Sequence, residues 1–251
     1  MIVKEHQSEA GHWYTRDGIP AYTVIGSNGK ERPTTLRDAR NMDLVPSVTT
    51  ILNVAAKPGL IAWMQRQVLM AALTLPRMET ESEEVFLERV MHDSKEHGKK
   101  AADAGTDIHA QIQSFYEEKP VPTSDAVMAT DRILYQTFGD QKWVCERAFC
   151  HDLGFGGKVD MIGTDVVVDI KTKDFDDPTK VAPYDEHLMQ LAAYRVGLGM
   201  HKARCANVFV SRTVPGLVTV HEWTESDLKR GWAMFSALLT CLLYTSDAAD
   251  E

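Results

Sequence analysis

Three charged residues occur at a spacing that can support chemistry on an anionic group: Asp160, Asp169 and Lys171. Asp169 and Lys171 are two residues apart in a predicted strand, so their side chains leave the same face. If residues 164–165 form the two-residue loop of a hairpin, Asp160 lies directly opposite Asp169. Directly opposed side chains have Cβ atoms about 5 Å apart. The spacing therefore predicts two neighbouring carboxylates with a lysine beside them.

Two ionised carboxylates this close repel each other unless a cation lies between them. A hard divalent ion suits such a pair, and Mg²⁺ or Mn²⁺ fits better than zinc. Lys171 can then orient or deprotonate a water molecule and stabilise developing phosphate charge. A surface hairpin with an ordinary Asp–Lys pair is the alternative. The valines at 166–168 favour the metal site, because a buried strand that ends in two charges requires a reason for them.

Four further polar residues are candidates for the same site. His109 lies one position off the apolar stripe of a predicted helix, where a lone histidine is more often structural or merely exposed. Gln190 and Tyr194 are one turn apart on the helix predicted after the hairpin, and an ordinary amphipathic face is the alternative for them. Glu146, on the strand before the hairpin, can support a metal ligand or bind a second ion.

Hydroxyl side chains cluster near the start of the chain at Ser47, Thr49 and Thr50. They can cap a helix, which is the more common role, or bind a phosphate at its N-terminus.

The elements that must position these residues follow from hydrophobic periodicity and turn signals. Strands are predicted at 21–25, 144–150, 156–162, 166–171, 206–211 and 217–223, and helices at about 60–75, 79–100, 99–116 and 185–198. A capping box, Thr224-x-x-Asp227, begins a last helix. The central order α-β-β-β-α-β predicts an α/β (α+β) fold, with a mixed sheet flanked by helices.

Composition narrows the class of protein. The 251 residues are 44% hydrophobic and 25% charged, which is typical of globular chains. The formal charge of −9 argues against coating nucleic acid by bulk charge, but it allows an enzyme whose acids hold metal ions. The sequence predicts no membrane span and no secretion signal, and the four cysteines follow no metal-binding spacing. A cytoplasmic protein with reduced thiols is expected.

We divide the chain into an N-terminal strand and turn extension at 1–45, a domain at 46–240 with a helical insertion at about 60–100, and a tail at 241–251. The tail resembles the translation of an adapter used in sequencing libraries, so we interpret it as non-native; a natural polar tail is the alternative. Its deletion is expected to change neither stability nor activity.

Taken together, the candidate residues resemble the RecB-like exonuclease branch of the PD-(D/E)XK nuclease superfamily. The matching positions are His109, Gly157-x-x-Asp160, Asp169-x-Lys171 and Gln190-x-x-x-Tyr194. Residues 46–52 and Trp63 also resemble phage-type members and the mitochondrial genome maintenance exonuclease. The resemblance covers roughly residues 46 to 223. One departure is Asp169, where many relatives carry glutamate.

The resemblance implies a restriction-endonuclease-like core and metal-dependent hydrolysis of DNA phosphodiester bonds. It implies metal ligation by Asp160, Asp169, His109 and the carbonyl of Ile170, with Glu146 as a further candidate. Lys171 would be the catalytic lysine. Gln190 and Tyr194 would position the catalytic strand and the DNA, which Ser47, Thr49 and Thr50 would also contact.

The expected function is a Mg²⁺-dependent (or Mn²⁺-dependent) DNA exonuclease that acts in phage replication or recombination, in the cytoplasm of a bacterial host. DNA and replication or recombination proteins are the expected partners. An endonuclease of the same superfamily is one alternative, and a non-catalytic nucleic-acid-binding protein is another. Strand polarity, strand preference and oligomeric state do not follow from the sequence.

Overall fold

A computed structural model of the chain describes residues 11–120 and 124–247, and within them no side chain is described at 97 or 244–247. Residues 1–10 of the predicted N-terminal extension and residues 248–251 of the predicted tail lie outside the described residues. Across the described ranges, no helix combines the length and the apolar character that crossing a membrane requires.

Short elements occupy the N-terminal part of the chain. They are β1 (Trp13–Tyr14), β2 (Thr23–Ile25), β3 (Glu31–Pro33), α1 (Leu36–Asn41), β4 (Val45–Pro46) and α2 (Val48–Leu52). Strand β1 pairs with β4, and β2 pairs with β3, both antiparallel. The predicted strand at 21–25 is therefore present in shortened form as β2.

Three helices precede the main sheet: α3 (Pro58–Thr74), α4 (Glu83–Tyr116) and α5 (Asp125–Phe138). The sequence predicted separate helices at 79–100 and 99–116, but α4 is continuous. Ser82 caps its start, and no proline interrupts the following residues, so nothing ends the helix near residue 100. Helix α5 was not predicted. The Oγ of Ser124 caps it, and Val127 and Leu134 are buried on its apolar side.

The main sheet lies within residues 144–223, all of which the structure describes. Its strands are β5 (Val144–His151), β6 (Phe155–Ile162), β7 (Val166–Lys173), β8 (Arg204–Ser211) and β9 (Val218–Trp223). Their spatial order follows the chain, and β7 pairs with β8 in parallel while the other pairs are antiparallel. A parallel neighbour requires a crossover, which α6 (Asp185–Gly197) supplies. The predicted mixed α/β class is confirmed.

Helices cover both faces of this sheet. On one face, α2, α6 and the last helix, α7 (Glu225–Asp247), pack on a cluster that includes Val159 and Val167. On the other face, α4 and α5 pack on a cluster that includes Val168 and Ile170. Neighbouring residues of β7 thus point to opposite cores, which explains its unbroken apolar run.

Helix α7 begins at the predicted capping box. The Oγ1 of Thr224 accepts from the backbone N–H of Asp227 (3.2 Å), and the Asp227 carboxylate accepts from Thr224 in return. The helix continues to Asp247, through seven residues of the predicted tail, and Leu242 packs against the core cluster of α6 and α7. Deleting 241–251 would remove these apolar contacts, which argues against the expectation that stability is unchanged; the effect of the deletion stays a prediction. The foreign origin of the tail stays a prediction.

Candidate active site

The hairpin of β6 and β7 has the predicted register next to its turn but opens beyond it. Met161 pairs with Val168, which places Asp160 opposite Asp169. The regular ladder ends there. The Oδ2 of Asp160 instead accepts the backbone N–H of Ile170 at 2.7 Å. A side-chain oxygen thus replaces a backbone acceptor, and the two strands separate at the two carboxylates.

The same place interrupts the alternation of side chains along the strands. Residues two apart on a regular strand share a face, yet Val159 and Met161 pack into the clusters on opposite faces of the sheet. On the neighbouring strand, Glu146 has a φ of 55°, a left-handed conformation that is uncommon outside glycine. Pairing on β5 resumes on either side of it. Glu146 and Asp160 therefore form one irregular point across β5 and β6, of the kind found at functional sites.

Asp169 is almost completely buried, with its side chain 2% exposed. Lys171 Nζ lies 3.0 and 2.9 Å from its two oxygens, and Asn207 Nδ2 donates to Oδ2 at 2.8 Å. Trp223 Nε1 in turn donates to Oδ1 of Asn207 at 2.8 Å. These contacts supply the partners that a buried carboxylate requires. The sequence analysis missed Asn207 and Trp223, because only the parallel register of β7 and β8 brings Asn207 beside Asp169.

Lys171 is held from the side of α6. Its Nζ donates to Oε1 of Gln190 at 2.9 Å, and Gln190 Nε2 donates to the hydroxyl of Tyr194 at 2.8 Å. Burial lowers the pKa of Lys171, but Asp169 and Asp160 outweigh it, so the net shift is upward and the lysine is protonated at neutral pH. Gln190 and Tyr194 are only 7% and 4% exposed. In this structure they orient Lys171 from behind; their contact with DNA stays a prediction.

Gly157 of the predicted motif allows Tyr194 to approach the sheet. A Cβ at Gly157 would lie 2.9 Å from the rings of Tyr194 and Phe149, closer than such contacts normally occur. The glycine is needed so that the Tyr194 ring can pack on β6.

His109 reaches the open hairpin from α4, on the other face of the sheet. Its Nδ1 lies 3.7 Å from Oδ2 of Asp160. Burial lowers the pKa of His109, which favours the neutral imidazole that ligates metals. One turn earlier, a Cβ at Gly105 would lie 2.7 Å from Thr172 Oγ1. Gly105 therefore lets α4 lie close enough to β7 for His109 to reach Asp160.

Glu146 lies at the other side of the site, where it forms an ion pair with Lys158 of β6. The Glu146 charge contributes to the raised pKa of Asp160, so the two carboxylates are electrostatic neighbours. Lys158 was not among the predicted site residues. Lys158 lies within the motif Gly157-x-x-Asp160, which is the sequence feature that points to it. Its proximity to Glu146, however, depends on the pairing of β6 with β5.

The hydroxyl cluster caps α2. Ser47 Oγ accepts from the backbone N–H of Thr50 at 2.9 Å and contacts the hydroxyls of Thr49 and Thr50 at 2.9 and 2.8 Å. Ser47 is 3% exposed, so its hydroxyl is committed to the cap. The cluster adjoins the main sheet through a bridge between Ser47 and Gly156. A DNA contact by these residues stays a prediction.

The charge distribution of the site favours a cation near Asp160. Burial raises the pKa of this carboxyl above its usual range, and the carboxylate of Asp169 raises it further. Within the described residues, no group of three His, Cys, Asp or Glu side chains is placed to hold a metal ion.

Comparisons with known proteins give distant structural likenesses. No family model and no curated protein matches the chain. The crystal structure of SSO0001 is similar at 16% identity and a TM-score of 0.32, over 71% of this chain and 86% of its own. LHK-Exo, an alkaline exonuclease from Laribacter hongkongensis, is similar at 13% identity and a TM-score of 0.31, over 75% of this chain and 98% of its own. Its complex with dAMP is similar at 16% identity and 0.30, over 57% and 86%. TM-scores this low leave the function to be inferred from the site residues.

We expect Asp160→Asn to stabilise the protein in EDTA, whereas Asp160→Ala destabilises it by about 1–3 kcal/mol. The asparagine keeps an acceptor for the Ile170 N–H but removes the charge beside Asp169. A carboxyl whose pKa is raised on folding loses its stabilising contribution as pH rises, so the advantage of asparagine grows from about pH 4 to pH 8. Urea unfolding across this range measures it. Equal losses in both variants would contradict the assignment.

Proposed function

We propose that the chain is a metal-dependent deoxyribonuclease that hydrolyses phosphodiester bonds, and specifically an exonuclease. One observation carries the proposal: the hairpin opens where Asp160 and Asp169 face each other, and Lys171 is fixed beside them by Gln190. Buried like charges with a positioned lysine are costly for folding alone, which favours a catalytic reason for them.

The residues that would hold a divalent ion are Asp160, Asp169 and the carbonyl of Ile170, with His109 on the α4 side. Oxygen ligands favour Mg²⁺, while the imidazole also allows Mn²⁺. When bound, such an ion lowers the pKa of a water molecule and polarises a phosphoryl oxygen.

Lys171 acts electrostatically on the phosphate. Its side chain is 27% exposed, and Asp169 and Gln190 anchor its ammonium group beside the place where the phosphate would bind. The raised pKa keeps it protonated, which suits charge stabilisation and orientation of the attacking water better than proton abstraction. Gln190 and Tyr194 limit the movement of Lys171, and preorganisation of this kind lowers the reorganisation cost in the transition state.

DNA as the substrate, exonucleolytic action and a role in phage replication or recombination follow from the resemblance to RecB-like nucleases. Replication or recombination proteins would be its partners. The formal charge of −9 means that bulk attraction does not hold the DNA. Affinity must come from local contacts and from the bound cation.

The experiment is a nuclease assay on linear and circular DNA with Mg²⁺, Mn²⁺ or EDTA. We expect linear DNA to be degraded with either metal and to be preserved in EDTA. Asp169→Asn should lose at least about 100-fold in rate, because it weakens both the metal ligand set and the anchor of Lys171. Asp165→Asn is the matched control, since Asp165 is an exposed carboxylate at the opposite end of the same hairpin.

Each outcome of that assay distinguishes one of the candidate functions. Cleavage of closed circular DNA identifies an endonuclease. DNA binding without cleavage, under conditions where the fold is intact, identifies a binding protein. Undiminished cleavage by Asp169→Asn contradicts the site.

Lys171→Met is expected to lower kcat by about 100-fold or more while leaving DNA affinity within a few fold. The lysine interacts mainly with charge that develops in the transition state. Steady-state kinetics together with DNA titration in Ca²⁺ measure the two effects. Lys202→Met, at an exposed turn after α6, provides the control. A loss confined to KM would show that Lys171 only binds substrate.

A further inference from the structure

A second lysine follows Lys171 on the same face of β7. Asp169, Lys171 and Lys173 alternate along the strand, so each lies about 7 Å from the next. Both lysines contact α6 or the residues before it: Lys171 bonds to Gln190, and Lys173 lies against Tyr184, six residues earlier. The row therefore extends from the two carboxylates to an aromatic ring.

Tyr184 is fixed on one side and open on the other. Lys173 Nζ lies 3.9 Å from the centroid of its ring and donates to the carbonyl of Ala182 at 3.0 Å. A cation at this distance is attracted to the ring face and restrains it. The residue is nevertheless 53% exposed. One side of the ring is thus held by a lysine, while more than half of the residue's surface meets solvent.

His187 fixes the backbone at the same place. Its Nδ1 accepts from the backbone N–H of Tyr184 at 3.2 Å, and the two ring centroids are 5.3 Å apart. Burial lowers the pKa of His187 to about 3, with Lys171 and Lys173 contributing, so the imidazole is neutral. The ring of Tyr184 is therefore positioned by a lysine below it and a neutral histidine beside it.

The acids next to Tyr184 do not present bare charges to an approaching phosphate. Glu186 forms an ion pair with Lys57 at 2.7 Å, and Asp185 forms one with Arg230 at 2.8 Å. Each carboxylate at the start of α6 thus has a basic partner from another element. An anionic strand can approach this end of the row without unscreened repulsion.

We propose that Tyr184 is a stacking platform for an unpaired nucleobase of the DNA strand whose phosphate lies at Lys171, with Lys173 supporting the ring from below. An exposed aromatic ring beside a row of lysines is the arrangement that binds single strands with little sequence preference. The proposal rests on the nuclease function above and adds a substrate class to it: a strand that is unpaired next to the scissile phosphate.

The test is fluorescence anisotropy with labelled single-stranded oligothymidylate in Ca²⁺. Two probes are compared, one intact and one with abasic positions at its terminal nucleotides. Stacking on one base corresponds to about a tenfold change in affinity or more. We expect Tyr184→Ala and Tyr184→Leu to bind the intact probe about tenfold more weakly than the wild type, and Tyr184→Phe to bind it equally well. On the abasic probe, all four proteins should bind alike.

The control is Tyr135→Ala, a change of a 65% exposed tyrosine on α5, which packs on the opposite face of the sheet. It should bind both probes as the wild type does. Equal losses on intact and abasic probes would overturn the proposal, because the ring would then not contact a base. Wild-type affinity of Tyr184→Ala in a protein that cleaves DNA would overturn this inference alone. A wild-type protein that neither binds nor cleaves DNA would overturn the nuclease function as well.

Discussion

The hydrogen bond from the Ile170 N–H to the Asp160 carboxylate is the interaction on which the site depends. It ends the regular pairing of β6 and β7 and holds the partly buried side chain of Asp160 opposite Asp169. The pair destabilises the metal-free protein, because burial and the neighbouring carboxylate of Asp169 both raise the pKa of Asp160. This destabilisation arises at one irregular point of the sheet, where the backbone of Glu146 is also in the left-handed conformation.

A buried polar network distributes that cost over four elements, β7, β8, β9 and α6. It runs from Trp223 through Asn207 to Asp169, and then through Lys171 and Gln190 to Tyr194. Every hydrogen bond in it satisfies a group that would otherwise be buried without a partner, so the network fixes the lysine while it stabilises the core. The crossover helix α6 thus has two roles: it connects the parallel strands, and it positions the side chain of Lys171.

Local patterns predicted the sheet and much of the site. The strands, the last helix with its capping box, and the pairing next to the hairpin turn follow from alternation, turn residues and loop length. The role of Asn207 does not follow from local patterns, because its parallel pairing with β7 depends on a crossover that no local pattern encodes. The continuity of α4 was missed because residues 92–100 contain no large apolar side chain that would carry a stripe into the half with His109. The burial of Gln190 and Tyr194 depends on packing between α6 and the sheet.

The central claim is that a divalent cation binds in the open hairpin, and anomalous scattering from crystals soaked in Mn²⁺ tests it most directly. The account predicts an anomalous peak within coordination distance of the carboxylates of Asp160 and Asp169, with the carbonyl of Ile170 or the imidazole of His109 beside it. In crystals of Asp160→Asn grown and soaked identically, the peak should be strongly reduced. A strong peak elsewhere with none at the hairpin, or an undiminished peak in the variant, would contradict the account.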